Sequence, residues 1–316
     1  TNNQSQYFKM KRKKLNIGVI GIGYLGKYHL EKFINNRQCI TKWVVDSNLE
    51  NIKNDLDISI KKTTNYKEIL PDIDAISLVT PTKMHFKIAK FFLENKKHVL
   101  IEKPMTETVT QAKELVRIAK KNKVVLKVGH LERFNPVMKR LSNEISSPLF
   151  IEVHRLAKFN PRSTDVNVIF DLMIHDIDIV TTLISRKIKN VSAFGKKIIT
   201  KTTDIANVRL EFYGGAVANL TASRISQKNE RKIRIFEKDK YYSVDFMNST
   251  INKYQKNIGR KKELFSSKEF KYNKTDALKD EINNFILSCY GKEIPLVDGN
   301  QGKAAVETAT LISKLL

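Results

Sequence analysis

The sequence predicts an α/β protein in which a doubly wound, mainly parallel sheet is followed by an α+β domain with a mostly antiparallel sheet. Three observations predict this fold class. Short apolar runs alternate with helical patterns between residues 15 and 128, as in parallel sheets with crossover helices. A glycine-rich turn joins the first apolar run to the first helical pattern. After residue 129 most β-rich segments follow one another directly, which is typical of antiparallel sheets.

The elements of the first domain follow in a regular order. Each apolar run is short and nearly continuous, as in strands that are buried on both faces of a sheet. These predicted strands occupy residues 17–20, 43–45, 75–79, 99–101 and 124–128. Apolar side chains recur at helical spacing between the strands, as at Ile88, Phe91 and Phe92. The corresponding helices are predicted at residues 24–35, 81–95 and 108–121.

The second domain is predicted to cover residues 129–316, after a first domain over residues 15–128. We expect the basic tail over residues 1–14 to be disordered. Further helices are predicted at residues 136–145, 168–184, 275–290 and 299–316. Extended segments, separated by turn residues, are predicted at residues 149–156, 208–212, 217–222, 232–236 and 241–246.

Composition excludes several classes of protein. The chain has 316 residues, of which 41% are hydrophobic and 28% charged, as is ordinary for a folded globular protein. No stretch of 18 apolar residues exists, so no membrane-spanning helix is predicted. The cysteines Cys39 and Cys289 form no ligand-like cluster. We therefore expect neither a disulfide scaffold nor a metal site, and a cytoplasmic location fits.

The net charge of +24 is unusual and would attract phosphate groups. Lysines are spread along the whole chain, however, and the only dense basic block lies at residues 9–14. A solvated surface with a compositional bias toward lysine explains this distribution better than a nucleic-acid interface does.

The glycine turn after the first strand has the Gly-x-Gly-x-x-Gly spacing. It lies between an apolar strand and a helix, which is the context that dinucleotide binding requires. The first glycine permits a tight turn, the second lets backbone N–H groups approach a pyrophosphate, and the third lets helix and strand pack closely. The helix N-terminus adds a partial positive charge. We predict that the cofactor contacts Gly21, Ile22, Gly23, Tyr24, Leu25 and Gly26.

A carboxylate follows the second predicted strand at the position where a dinucleotide's ribose hydroxyls lie. Asp46 comes 20 residues after Gly26 and is followed by Ser47 and Asn48 rather than by an arginine. This pattern favours NAD over NADP, because the carboxylate would repel a 2′-phosphate. The alternative is that Asp46 only forms a turn before the next element.

Two later strand ends point toward the same crevice, because ligands lie beyond the carboxyl ends of parallel strands. Thr80 and Pro81 follow one predicted strand, with His85 nearby, and Glu102 and Lys103 follow the next. We predict that all five residues contact the cofactor. The alternative for His85 is a histidine that is hydrogen-bonded within the start of a helix.

The long predicted helix carries a polar line along an otherwise apolar surface. Asp171 and His175 lie about 40° apart around the axis of a regular helix, with Asp178 beside them. Burying ionisable side chains without partners is costly, so this line predicts either a paired network or a functional site. The alternative is a core histidine that is paired with the aspartate one turn before it.

Several polar side chains near these elements suit an anionic substrate. Arginine recognises phosphate with two parallel hydrogen bonds and does not lose its charge. We predict that the substrate contacts Arg133, Asn135, Arg155 and Arg162. Each arginine is otherwise an ordinary surface residue.

Taken together, the motifs GIGYLG, TPTKMH, HVLIEKP and DLMIH resemble those of the glucose–fructose oxidoreductase/inositol dehydrogenase family of NAD(P)-dependent sugar dehydrogenases. The resemblance covers residues 15–316. Residues 129–136 and 171–180 are more particularly similar to members that are UDP-N-acetylglucosamine 3-dehydrogenases, which prepare a diamino sugar nucleotide for lipid A. The resemblance implies a Rossmann domain that binds NAD, and an open, mostly antiparallel sheet whose flat face forms a homo-oligomer. It also implies C-terminal helices that return to the Rossmann domain.

The resemblance also implies roles for individual residues. Lys103 lies near the nicotinamide and the substrate hydroxyl, and Asp171 and His175 match the family's D-x-x-x-H pair. We expect His175 to accept the proton, Asp171 to fix its tautomer and Lys103 to polarise the hydroxyl or relay its proton, and the reverse assignment stays open. The substrate would contact all three. An aminotransferase would then consume the ketone.

Where many members have Asn or Gln-Asn-Arg, this chain has His130-Leu131-Glu132-Arg133, which leaves the roles of His130 and Glu132 open.

Other functions stay open at this point. Within enzymes, the substrate is alternatively another nucleotide sugar or a polyol. A regulator that kept the dinucleotide fold is disfavoured because Lys103 and His175 are both present. Specific nucleic-acid binding is disfavoured because no recognised reading motif accompanies the positive charge.

Overall fold

The computed structural model describes residues 13–52, 57–161, 166–257 and 264–316. The tail predicted over residues 1–14 lies outside the described residues except for its last two positions. Among the described residues, no helix is both long and apolar enough to cross a lipid bilayer.

A six-stranded parallel sheet forms the first layer, in the order β3-β2-β1-β4-β5-β6. Its strands are β1 Leu15–Ile20, β2 Cys39–Val45, β3 Lys61–Thr63, β4 Ala75–Leu78, β5 His98–Glu102 and β6 Leu126–Gly129. Its crossover helices are α1 Tyr24–Ile34, α2 Thr82–Glu94 and α3 Val109–Asn122. The predicted doubly wound sheet is confirmed. The strand order reverses at β1 and β4, where open α/β sheets bind their ligands.

The edge strand β3 was not predicted from the sequence. It consists of Lys61, Lys62 and Thr63, which lie exposed or half-exposed beside β2. An exposed edge strand needs no apolar run, and the pattern that identifies buried strands is therefore absent there.

An eight-stranded sheet forms the second layer, in the order β14-β13-β12-β11-β7-β10-β9-β8. Its strands are β7 Phe150–Leu156, β8 Ile188–Lys196, β9 Ile205–Phe212, β10 Val217–Ser223, β11 Glu230–Glu237, β12 Lys240–Asp245, β13 Thr250–Lys256 and β14 Phe265–Lys271. Every neighbouring pair is antiparallel except β7 and β10. The predicted, mostly antiparallel sheet is confirmed.

Among the described residues, helices cover one face of this second sheet. They are α4 Pro136–Glu144, α5 Ile174–Ile184 and α7 Gly299–Lys314. A further helix, α6 Ala277–Cys289, joins a different core. Ile177 and Val180 of α5 and Ile312 of α7 share a buried core with Val208 and Leu220 of the sheet. The opposite face alternates polar and aromatic side chains and is left open.

The last two helices pack against the parallel sheet and its helices. Ile282 and Phe285 of α6 join a core with Val19 of β1 and Phe33 of α1. Gly302 of α7 lies so close to β6 that a methyl group there would come within 2.4 Å of a Val128 methyl carbon. The chain therefore crosses between its two sheets more than once. A division into domains at residue 129 stays our proposal.

The helix predicted over residues 168–184 is not regular. Ile169–Met173 form a turn of π-helix, and the α-helix α5 begins only at Ile174. A π-turn carries an additional residue. The facing of side chains computed for a regular helix therefore does not hold across this turn.

Candidate functional site

The glycine turn lies at the switch point of the parallel sheet. Gly21 has a φ of 91°, and a methyl group on it would lie 2.7 Å from the Val79 carbonyl oxygen. A methyl group on Gly26 would lie 1.9 Å from the Gly21 carbonyl oxygen. Around Gly23, by contrast, no described atom lies within 4 Å of such a methyl group. The turn is therefore packed tightly on one side and open on the side where a pyrophosphate would lie.

The first turn of α1 faces this open space without a side-chain cap. Its N-cap residue, Gly23, makes no side-chain capping hydrogen bond. Backbone N–H groups of this turn therefore remain for an anion. Tyr24 and Leu25 are exposed on this turn. Ile22 is buried instead and donates its N–H to Asp46. The contact between Ile22 and the cofactor stays a prediction, with the Ile22 N–H already bonded to Asp46.

A cleft of about 550 Å³ lies beside the turn and includes Gly21, Gly23, Asp46, Thr80 and Pro81 in its lining. The Thr80 hydroxyl is buried there and has no hydrogen-bond partner among the described residues. A buried polar atom without a partner is rare in folded proteins. The open glycine turn, the Asp46 carboxylate and this hydroxyl fit an adenine dinucleotide.

Asp46 is held in place from three sides. Its carboxylate accepts hydrogen bonds from the N–H groups of Ile22 (2.6 Å) and Asn48 (2.9 Å) and from the Asn51 amide (3.0 Å). Burial alone would raise the pKa of Asp46, but these hydrogen bonds outweigh burial and lower it. Asp46 thus forms the local turn and also presents a negative charge to the cleft.

His85 does not face the cofactor cleft. Its two ring nitrogens lie 2.8 Å from the Thr80 carbonyl oxygen and 3.0 Å from the Pro104 carbonyl oxygen, and the side chain is buried. The contacts of both nitrogens join the two loops to each other, as the alternative of an internally hydrogen-bonded histidine predicts, and the cofactor contact of His85 stays a prediction.

Glu102 likewise points inward. Its carboxylate lies 3.1 Å from the His29 ring nitrogen and accepts the Lys103 N–H at 3.2 Å. Burial would raise the pKa of Glu102, but the contacts with His29 and Lys103 outweigh it and lower the pKa. The cofactor contact of Glu102 stays a prediction. Glu102 supports the strand end from which Lys103 emerges.

Lys103 reaches from the end of β5 to the π-turn. Its Nζ donates to the Asp171 backbone carbonyl at 2.8 Å and lies 4.0 Å from the Asp171 carboxylate. Burial lowers the pKa of Lys103, partly opposed by the charges of Asp171 and Glu102. The structure therefore brings together Lys103 and Asp171, which lie 68 positions apart in the chain.

His175 lies on the first turn of α5, where the charge of Lys103 acts on it. Its Nδ1 is buried and has no hydrogen-bond partner in the part of the chain that the structure describes. Its ring makes an edge-on contact with the His130 ring, with 6.0 Å between centroids. Burial and then the positive charges of Lys103 and Arg155 lower the pKa of His175 well below its usual value. The imidazole is thus neutral at neutral pH and can accept a proton.

No hydrogen bond joins Asp171 to His175 in the described part of the chain, although the sequence predicted that Asp171 fixes the histidine tautomer. The physical reason is the π-turn, which separates the two side chains and directs Asp171 to Lys103.

The two described arginines that were predicted to bind substrate are engaged in internal ion pairs. Arg155 is buried and donates to both oxygens of Asp176 at 2.8–2.9 Å. Arg133 is also buried, with its Nη1 3.4 Å from Asp178. The substrate contacts of Arg133 and Arg155 stay a prediction, and in this structure a buried aspartate binds each guanidinium group.

The remaining two predicted substrate residues have different outcomes. The Asn135 side chain accepts the Val137 N–H at 3.0 Å and thereby caps α4. The amide oxygen thus satisfies the helix start, and the substrate contact of Asn135 stays a prediction. Arg162 lies outside the described residues.

Sequence reasoning did predict that the polar line of the long helix needs a paired network, and the structure confirms a network. The sequence placed Asp178 in this line but did not identify Asp176 and Glu132 as members of the network. Asp176 and Asp178 are the buried partners, and Glu132 binds Arg155 at 3.3 Å. The signal was present in the run Asp-Ile-Asp on an otherwise apolar helix, since buried carboxylates require cationic partners.

Comparison with known proteins agrees with this geometry. Residues 15–130 match the model of an oxidoreductase family with an NAD-binding Rossmann fold, and residues 143–241 match the GFO/IDH/MocA C-terminal domain. The UDP-N-acetylglucosamine 3-dehydrogenase of Acidithiobacillus ferrooxidans is 34% identical over 92% of this chain and 94% of that protein. The myo-inositol 2-dehydrogenase of Thermotoga maritima is 24% identical over 92% of this chain and 93% of that protein.

Solved structures show the same relationship. The structure of UDP-N-acetylglucosamine 3-dehydrogenase GnnA from Acidithiobacillus ferrooxidans matches 96% of this chain and 98% of that chain, with a TM-score of 0.90 and 33% identity. A levoglucosan dehydrogenase in complex with NADH and levoglucosan matches 96% of this chain and 97% of that chain, with a TM-score of 0.84 and 17% identity. The second likeness concerns the fold alone.

Proposed function

The chain belongs to the GFO/IDH/MocA family of NAD-dependent oxidoreductases, and on that basis we propose that it oxidises the 3-hydroxyl of UDP-N-acetylglucosamine to a ketone. The observation that carries the proposal is that Lys103 Nζ, at the end of β5, donates to the Asp171 carbonyl four residues before His175, whose pKa is lowered by burial and by the Lys103 charge. The choice of substrate is supported by the likeness to the A. ferrooxidans enzyme, which extends over nearly the whole of both chains.

The cofactor would lie along the cleft, with its pyrophosphate at the glycine turn and a ribose at Asp46. When bound, NAD⁺ supplies the acceptor for the hydride. The residues that would hold it are Gly21, Gly23, Gly26, Asp46, Thr80 and Pro81.

The protein's own part is to orient the sugar and take the hydroxyl proton. His175 accepts that proton on its imidazole, because its lowered pKa keeps the ring neutral and one ring nitrogen unprotonated at neutral pH. Lys103 donates a hydrogen bond to the same hydroxyl and polarises it. Asp171 holds the Lys103 ammonium through its carbonyl and carboxylate. Asp171 is therefore a positioning residue in this account.

Incubation with UDP-N-acetylglucosamine and NAD⁺ tests the proposal, with a partner aminotransferase and glutamate added to trap the ketone. We expect NADH to form together with an aminated nucleotide sugar. Parallel reactions with free N-acetylglucosamine and with myo-inositol should be much slower. No NADH from the nucleotide sugar, or faster turnover of inositol, would refute the proposed substrate.

Replacement of His175 by alanine tests the assignment of the base. We expect kcat to fall by about 10²–10⁴-fold, the usual contribution of a general base. The Kd for NAD⁺ should stay within about twofold, since His175 is not part of the dinucleotide cleft. A variant that keeps wild-type kcat would exclude His175 as the base.

The remaining expectations from the sequence follow from this reaction. The ketone would pass to a separate aminotransferase in the cytoplasm, giving a diamino sugar for lipid A. We also propose a homo-oligomer, a dimer or a tetramer, through the open face of the second sheet. That face carries a ladder of rings across four strands, formed by Phe150, Phe236, Tyr241 and Tyr254.

A further inference from the structure

A third arginine emerges from the helix-covered face of the second sheet, beside the site. Arg231 on β11 pairs directly across from Arg155 on β7, so both side chains lie on the same face. Ile233 and Ile235 continue this face of β11 and are buried. Arg231 stands near the start of the strand, and its side chain is 52% exposed. Its charge therefore remains accessible where that of Arg155 does not.

Contacts connect Arg231 to the reacting residues. One carboxylate oxygen of Glu132 accepts hydrogen bonds from Nη1 of Arg231 at 3.0 Å and from Nη1 of Arg155 at 3.3 Å. Arg155 in turn binds Asp176, the residue that follows His175. Glu132 is only 12% exposed, so it is a fixed support that holds Arg231 in one orientation.

The positive charge of Arg231 also reaches the reacting groups. Burial is the main reason that the pKa values of Lys103 and His175 are lowered, and Arg231 contributes to lowering both. The charge of Arg231 therefore acts on both proposed catalytic groups.

Donors remain on Arg231 for a ligand. Within the described residues its hydrogen bond to Glu132 uses Nη1, which leaves Nε and Nη2 to present the planar edge that matches phosphate oxygens. The phosphate of a nucleotide sugar is attached at C1, two ring carbons from C3. A phosphate contact is therefore needed beside the reacting centre rather than at it.

We propose that Arg231, oriented by Glu132, binds the diphosphate of the substrate. The inference rests on the proposed function and deepens it. It assigns to Arg231 a role predicted from the sequence for Arg133 and Arg155, whose guanidinium groups are buried against Asp178 and Asp176.

The test compares Arg231→Gln with a matched control, Arg117→Gln. Arg117 on α3 is also exposed and also paired with a glutamate, Glu114, at 3.5 Å, but it does not line the cofactor cleft. For Arg231→Gln we expect the Kd for UDP, measured by calorimetry, to rise about tenfold, which corresponds to about 1.4 kcal/mol. The KM for UDP-N-acetylglucosamine should rise similarly, with kcat within about threefold. Arg117→Gln should match the wild type, and all three proteins should bind NAD⁺ equally.

The outcomes separate this inference from the proposed function. If the wild type binds UDP and oxidises the nucleotide sugar but Arg231→Gln behaves like Arg117→Gln, the inference is wrong and the function stands. If Arg231→Gln loses NAD⁺ binding and kcat together, its role is structural and the inference is again wrong. If the wild type neither binds UDP nor oxidises the nucleotide sugar, the proposed function itself is wrong.

Discussion

At the scale of single residues, Lys103, Asp171 and His175 could be predicted because a motif identifies each of them in the sequence. Their protonation and orientation could not, because both depend on burial and on charges from distant segments. The same limit explains Arg133 and Arg155. Arginine favours phosphate in general, but here the choice between a ligand and an internal carboxylate is made by packing against α5.

The lowered pKa of His175 makes a prediction about pH. Burial and the charge of Lys103 keep the imidazole neutral, so the acid limb of kcat/KM should lie below pH 6.5, the ordinary histidine value. The rate should then be level through neutral pH. If Lys103 were the base, the rate would instead keep rising in alkali toward the lysine range, which lies below 10.5 here.

NMR titration provides the control for this assignment. In Lys103→Met the neighbouring positive charge is gone, so the pKa of His175 should move upward relative to the wild type. An unchanged titration would mean that Lys103 does not act on the imidazole.

Glu281 makes a prediction about stability. It is fully buried, and neither carboxyl oxygen has a partner among the described residues. Burial raises its pKa from 4.5 to about 8. Between these values the folded state keeps a proton that the unfolded state releases, so Glu281 costs stability as pH rises from 4.5 to 8.

Glu281→Gln mimics the protonated acid and should remove this cost. Denaturant unfolding should show little gain over the wild type near pH 4.5, a gain of about 3 kcal/mol at pH 7, and no further increase above pH 8. Burial lowers the pKa of the neighbouring Lys127 to about 8, so the effect of that lysine falls above this window. A gain that is equal at every pH would contradict the account.

At the scale of elements, the apolar strands of the parallel sheet were predictable because burial on both faces leaves a continuous apolar run. The edge strand Lys61–Thr63 has no such run and was missed. The π-turn at Ile169–Met173 was also missed, because no pattern in the sequence distinguishes it from regular helix. The sequence predicted a contact of Asp171 with His175, whereas in the structure Asp171 contacts Lys103.

The glycine turn allows two neighbouring substitutions with different consequences. Gly26→Ala places a methyl group 1.9 Å from the Gly21 carbonyl oxygen, so it should lower the free energy of unfolding by about 3 kcal/mol. Gly23→Ala meets no protein atom within 4 Å, so its stability should stay within about 0.5 kcal/mol of wild type.

NAD⁺ titration separates the two effects. Gly23→Ala should raise the Kd for NAD⁺ at least about tenfold, because its methyl group occupies the space where the pyrophosphate approaches the backbone. Full NAD⁺ affinity in this variant would show that the cofactor does not lie against the turn.

At the scale of the whole molecule, the order of two sheet types could be predicted from the change in sequence pattern after residue 129. The net charge of +24 did not help to predict the function, since the charged residues of the site lie in a few buried pairs. Topology such as the parallel pairing of β7 with β10 could not be predicted, because it joins segments that are distant in the chain.

The open face of the second sheet predicts assembly. Its ring ladder includes Tyr254, whose side chain is 40% exposed, and partly exposed aromatic groups are typical of interfaces. Light scattering should therefore give the mass of a dimer or tetramer, and Tyr254→Glu should shift it toward the monomer. A monomeric wild type at micromolar concentration would contradict this proposal.

The central claim is that Lys103 and His175 converge on the substrate hydroxyl at the redox-active end of an NAD cleft. A crystal structure of the complex with NADH and UDP-N-acetylglucosamine, which cannot react with each other, tests it most directly. The account predicts the pyrophosphate of NADH at residues 21–26, and the sugar C3 hydroxyl within hydrogen-bonding distance of Lys103 Nζ and a His175 ring nitrogen. A nicotinamide or a C3 hydroxyl bound away from both side chains would contradict it.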